Sequence, residues 1–163
     1  MSTNPQSMSS PIAGSLTAQR RSALARTARY LGALAILATG AVHIQQYYGI
    51  DYSTVPTIGT LFFLNFVSAV VIAAGLVAPL GRVAGRYADS IRALFAVGGI
   101  GLAVLSLVSL LVSESSSLFG FTENGYRTAI VLAIVAEAAA AVFLLVFLAA
   151  ERSGGRRVRI QHD

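Results

Sequence analysis

Cysteine does not occur in this chain, and neither do tryptophan or lysine. The missing cysteine excludes disulfides, thiolate metal sites, iron–sulfur clusters and a cysteine nucleophile. Charge is scarce as well. Asp, Glu, Lys and Arg make up 12% of the 163 residues, while hydrophobic residues make up 55%. A soluble domain carries about 25% charge, so this composition cannot coat a globule of this length with a polar shell. The mean hydropathy of +0.71 agrees. Alternating strand patterns with turn signals are missing too, which argues against a β-barrel. All 12 basic residues are Arg, and the formal net charge is +5. No basic stripe is interleaved with aromatics, so nucleic acid is not an expected partner.

What is there is apolar runs of membrane length. A helix needs about 20 residues to cross a hydrocarbon core of about 30 Å. Four stretches meet that requirement, at residues 30–48, 58–80, 93–113 and 129–150. In lipid a helix satisfies its own backbone polar groups, so four stretches imply four helices. The connections are short, which favours an up-down-up-down order. The expected fold is therefore all-α: an integral membrane four-helix antiparallel bundle occupying residues 20–152. Residues 1–19, rich in Ser, Thr, Pro and Gln, are expected to be a disordered cytoplasmic tail. Residues 153–163, SGGRRVRIQHD, are expected to be a basic cytoplasmic tail.

Arginine sets the orientation, because the cytoplasmic side of a membrane protein is enriched in it. Arg20, Arg21, Arg26 and Arg29 precede the first stretch. Arg82, Arg86 and Arg92 lie at the second connection. Arg152, Arg156, Arg157 and Arg159 follow the fourth, and only Arg127 falls on the other side. Both termini are thus expected in the cytoplasm of a bacterial inner-membrane, multi-pass protein. The expected partners are the lipid bilayer, anionic lipid headgroups that meet the Arg-rich segments, and a membrane-protein partner or a second copy of the chain.

Lipid is as apolar as Leu, so helices in it associate through close packing and interhelical hydrogen bonds. Small residues mark candidate seams: Gly32, Ala35, Thr39 and Gly40; Gly98, Gly99, Gly101 and Ala103; Ala136 and Ala138 to Ala141. Polar residues within the spans are the candidates for chemistry. Glu137 is the only charged residue of its stretch and sits near mid-membrane. A carboxyl at that depth costs at least about 2.5 kcal/mol on insertion scales. It must face the bundle interior, carry a proton or pair with a donor. It is either a structural hydrogen-bonding group or a proton-handling, ligand-contacting acid.

His43 lies near the outer end of the first helix, with Thr39 and Tyr47 at i−4 and i+4. It is either an interfacial anchor or a ligand contact. The only other histidine, His162, is at the opposite side, so a bis-His haem within one chain is excluded. No metal and no cofactor are expected. Asn65 on the second helix and Ser106 and Ser109 on the third lie at comparable depth. Together Glu137, His43, Asn65, Ser106, Ser109 and Tyr47 form a candidate ligand or proton site; no catalytic residue is assigned.

The run AVHIQQYYGIDYSTVPTIGTLFFLNFVSAVV, Ala41 to Val71, resembles a small four-helix membrane-protein family of high-GC bacteria. Its pattern is a His near the outer end of the first helix, a short Tyr-containing loop, and P-x-I-G-x-L-F-x-L-N opening the second. The resemblance covers about a fifth of the chain. It implies the four-helix fold and singles out His43, Pro56, Gly59 and Asn65, and it implies no activity. In helix number and size the chain is also similar to DoxX-like membrane proteins, by analogy alone. Three functions follow as expectations. The first is a non-enzymatic accessory or scaffold subunit. The second is a membrane-embedded binding or proton-handling site for a lipophilic, quinone-like ligand. The third is a small oligomeric transporter.

Overall fold

Proline and apolar length decide where the elements begin and end. The computed structural model describes residues 11–49, 56–115 and 128–160. Helix α1 spans Pro11–Gly49, α2 Pro56–Val77, α3 Leu80–Val83, α4 Ala88–Ser115 and α5 Thr128–Ile160. A 3₁₀ turn at Gly85–Tyr87 links α3 to α4. Among the described residues there is no strand. Pro11 and Pro56 each occupy a first helical position, where the missing N–H costs nothing. Pro79 drives the residue before it out of helical geometry, and α2 ends at Val77, three residues short of the expected boundary at Leu80. Gly85, at φ +50, supplies a left-handed residue that a side chain would resist. Asp89 in the first turn of α4 meets the positive end of the helix dipole and pairs with Arg92 at 2.9 Å.

Four helices, α1, α2, α4 and α5, are long and apolar enough to cross a membrane. Two of them run well past the apolar stretches. The first helix starts at Pro11, so residues 11–19 of the expected disordered tail are helical, while residues 1–10 lie outside the described residues. Its extension is not an idle overhang. Ala25 and Ala28 are buried and continue the stripe of Gly32, Ile36 and Thr39 at helical spacing. The last helix likewise reaches Ile160, into the expected basic tail, whose final three residues lie outside the described set.

The four long helices form a ring in the order α1, α2, α4, α5. Helix α1 packs against α2 and α5, and α4 packs against the same two; α1 and α4 barely touch across the middle. One half of the ring is closed. Ile36, Leu76, Ala96, Ala140 and Leu144 are almost fully buried there. A Cβ placed on Gly99 would lie 2.6 Å from Leu144 Cδ1, and one on Gly32 would strike the same side chain. A Cβ on Gly40 would lie 2.8 Å from that of Ala69. Small residues thus set the spacing of α1, α4 and α5 around Leu144. Gly98 and Gly101 face outward and do not mark this seam, since a Cβ there would meet little or nothing within 4 Å. The outer surface is apolar: Leu94, Leu105 and Leu34 are 71%, 66% and 63% exposed.

Candidate functional site

The other half of the ring is open inside. A cavity of about 320 Å³ lies between all four long helices, within the usual range for small-molecule sites. Its walls are mostly Leu, Ile, Val, Ala and Phe. Its polar groups come from every helix: His43 and Gln46 on α1, Asn65 and Ser68 on α2, Ser106, Ser109 and Ser113 on α4, and Glu137 on α5. Geometry puts them at a common level. Asn65, Ser106 and Glu137 each lie nine residues from the same end of the bundle, about 14 Å along their helices at 1.5 Å per residue.

Two of these residues are joined directly: Asn65 Nδ2 donates to Ser106 Oγ at 2.6 Å. Glu137 lines the same cavity beside them. Glu137 is 1% exposed, and its Oε2 has no hydrogen-bond partner; nor does Asn65 Oδ1. An unpaired buried polar atom costs about 1–3 kcal/mol, so two in one cavity are a concentrated cost.

His43 completes the cluster from α1. Its Nδ1 lies 2.9 Å from the Thr39 carbonyl oxygen. A carbonyl only accepts, so the proton is on Nδ1 and Nε2 presents a lone pair in the neutral ring. That Nε2 lies 4.0 Å from Glu137 Oε1. The separation is too long for a direct hydrogen bond. The Phe62 ring and the imidazole meet in a T-shaped contact, centroids 5.1 Å apart at 89°. The Thr39 hydroxyl donates to the Ala35 carbonyl at 3.2 Å, so it is occupied within α1.

Of the six residues singled out in the sequence, the structure brings five to one cavity: His43, Asn65, Ser106, Ser109 and Glu137. Tyr47 is not among its walls. It packs instead on Tyr48 and Phe63, with centroids 4.8 and 6.0 Å apart. The reason is rotation. Each i+4 step turns about 40° past a full circle, so by i+8 Tyr47 has drifted well off the line of Thr39, whereas Gln46 at i+7 returns to it. Phe62 was missed, although it stands three residues before Asn65 on the same face, a spacing that pairs side chains on a helix. No group of three or more metal-ligating side chains occurs among the described residues.

Fold and site together define a class: an all-helical bundle with four helices of membrane-crossing length, compatible with a multi-pass membrane protein and enclosing a polar-floored cavity. Comparison with known proteins goes no further, since no protein family, curated protein or solved structure matches this chain.

Proposed function

We propose that this chain is a multi-pass protein of the cell membrane that holds a lipophilic ligand with a polar head in the cavity built on Glu137, His43 and Asn65. In this reading the four long helices are antiparallel neighbours and both termini are cytoplasmic. Gly32 pairs with Leu144 and His43 with Glu137, so residue numbers run in opposite directions along α1 and α5, which supports that order. The orientation is supported by Arg29, Arg82, Arg86, Arg92 and Arg152, which belong to the closed end of the bundle, away from the cavity. The Arg-rich end would then meet anionic headgroups, and the cavity would lie in the outer half of the bilayer.

The observation that carries the proposal is the pair of buried, unpartnered oxygens, Asn65 Oδ1 and Glu137 Oε2, beside a cavity large enough for a ring-sized head. Four unrelated structural hydrogen bonds would leave neither the cavity nor the orphans. A second reading, a scaffold that packs against another membrane protein, is favoured by one separate feature: Gly98 and Gly101 point outward from α4.

The test is ligand retention. Protein purified in mild detergent is extracted with organic solvent, and the extract is quantified by mass spectrometry. The wild type should carry close to one lipophilic molecule per chain. Ala133→Phe, which fills the cavity from α5, and Asn65→Leu should lose it while keeping helical content and elution volume. Equal loads in all three proteins end the proposal.

A further inference from the structure

The chemistry of the cavity floor specifies the ligand's head, and the cavity walls specify where its tail goes. This step rests on the binding-site reading above. Two hydrogens beside the floor are spent within the protein: His43 Nδ1–H is taken by the Thr39 carbonyl, and one Asn65 amide hydrogen by Ser106. Ser113 at the rim gives its hydrogen to the Leu110 carbonyl at 2.8 Å. At the buried end of the cavity Glu137 Oε1 and His43 Nε2 face each other, and Asn65 Oδ1 has no partner. The 4.0 Å gap between that pair accommodates one bridging oxygen at about 2.8 Å from each atom, an ordinary hydrogen-bond length. Such an oxygen must both give and take a hydrogen: if Glu137 holds the proton, Nε2 needs a donor, and if the imidazole holds it, the carboxylate does. A hydroxyl meets both cases. A carbonyl or an ether oxygen has no hydrogen to give and meets neither.

The walls are not closed on every side. Among the lining residues, those of α1 and α5 are buried or half-buried, whereas Leu61 and Leu64 on α2 and Leu105 on α4 are 43%, 51% and 66% exposed. The α2–α4 seam is also the least closely packed of the four. The cavity therefore communicates with the outer apolar surface between α2 and α4. We propose that the ligand is a single-headed lipid bearing a hydroxyl, such as a phenol, hydroquinone or long-chain alcohol. Its hydroxyl bridges His43 Nε2 and Glu137, and its tail leaves the bundle between Leu64 and Leu105.

Synthetic probes separate the parts. Binding of 4-dodecylphenol, its methyl ether 4-dodecylanisole, and tailless phenol to the delipidated full chain is measured by native mass spectrometry from detergent. The phenol should bind one per chain and the ether at least tenfold more weakly. Tailless phenol should bind at least tenfold more weakly again than the long-chain phenol. The tail's route is read separately, because the chain has no tryptophan of its own. A lone tryptophan introduced by Leu105→Trp, or by Leu64→Trp if the first variant folds poorly, should be quenched by a dodecylphenol brominated on its chain. Val135→Trp, on the outward face of α5, should be quenched no more than by the micelle background. Equal binding of phenol and ether overturns the hydroxyl requirement, and equal quenching at α4 and α5 overturns the route. In either case the site itself survives. Binding of none of the probes, with no lipid lost from Ala133→Phe, overturns the site as well.

Discussion

The two halves of this bundle are built from the same four helices and differ in what occupies their middle. Around Leu144 the helices approach until Gly32 and Gly99 leave no room for a Cβ against one leucine that is fully buried. Around Glu137, about two helical turns before that leucine on α5, the same helices enclose about 320 Å³ and a set of polar groups. The first half is closely packed, and the second holds the polar groups. A bundle that needed only to stand in a membrane would extend the leucine-and-glycine packing to both ends.

Breaking the closed half should have the largest effect. Gly99→Leu pushes a branched side chain into Leu144, Ile72 and Ile36, and overpacking of this kind costs about 1–3 kcal/mol or more. We expect a chain that expresses poorly or unfolds at far lower denaturant, read by titration with a denaturing detergent in mixed micelles. Leu144→Ala opens a cavity instead, at a cost of about 2–5 kcal/mol. The matched change in the other half, Leu110→Ala at a wall that is already open, should cost under about 1 kcal/mol. A Leu110→Ala loss as large as that of Leu144→Ala would erase the distinction between the halves.

The polar groups should show the reverse pattern. Glu137→Gln keeps the shape of the side chain, and Asn65→Leu removes an amide whose oxygen has no partner. Buried polar groups with unsatisfied atoms contribute little net stability. We expect either variant to unfold within about 1 kcal/mol of the wild type while losing most of its retained lipid. A large stability loss with lipid retained would make both residues structural.

Most of the architecture, and less of the site, could be read from residue order. Four apolar stretches became four helices because length and apolarity are local properties. The helical extension of α1 to Pro11 escaped, because Arg20 and Arg21 look like a boundary while Ala25 and Ala28 go on packing beneath them. Depth along a helix is also local, so Asn65, Ser106 and Glu137 could be aligned by counting. Rotation accumulates, and that is why Tyr47 was grouped with His43 and ended on Phe63. The tautomer of His43 and the orphaned oxygens depend on distances between chain segments far apart in sequence, and no spacing rule supplies those.

Orientation offers a sharper test of which half faces which side. Single cysteines are clean reporters here because the native chain has none. With the cavity half outward, Gly49→Cys should react with a membrane-impermeant maleimide on intact cells. Ser22→Cys, on the exposed N-terminal part of α1, should react only after permeabilisation. The opposite pattern would turn the bundle over and put the cavity in the inner half of the bilayer.

The smallest expected effect falls on the outside of the closed half. Gly98 and Gly101 lie on α4 beside Gly99, yet a Cβ on either meets nothing closer than 3.9 Å. By helix propensity alone, alanine at each should be neutral or stabilising by up to about 1 kcal/mol. Leucine at both positions separates the remaining possibilities. If this face only meets lipid, Gly98→Leu with Gly101→Leu should leave stability, lipid retention and copurifying proteins unchanged, since lipid tolerates leucine as well as glycine. If a partner helix packs there, the same double variant should keep the fold and the retained lipid but lose the partner, because small outward residues matter in a membrane only where another backbone comes close. Loss of copurifying protein without loss of lipid would assign the scaffold role to this face, and leave the cavity half to its ligand.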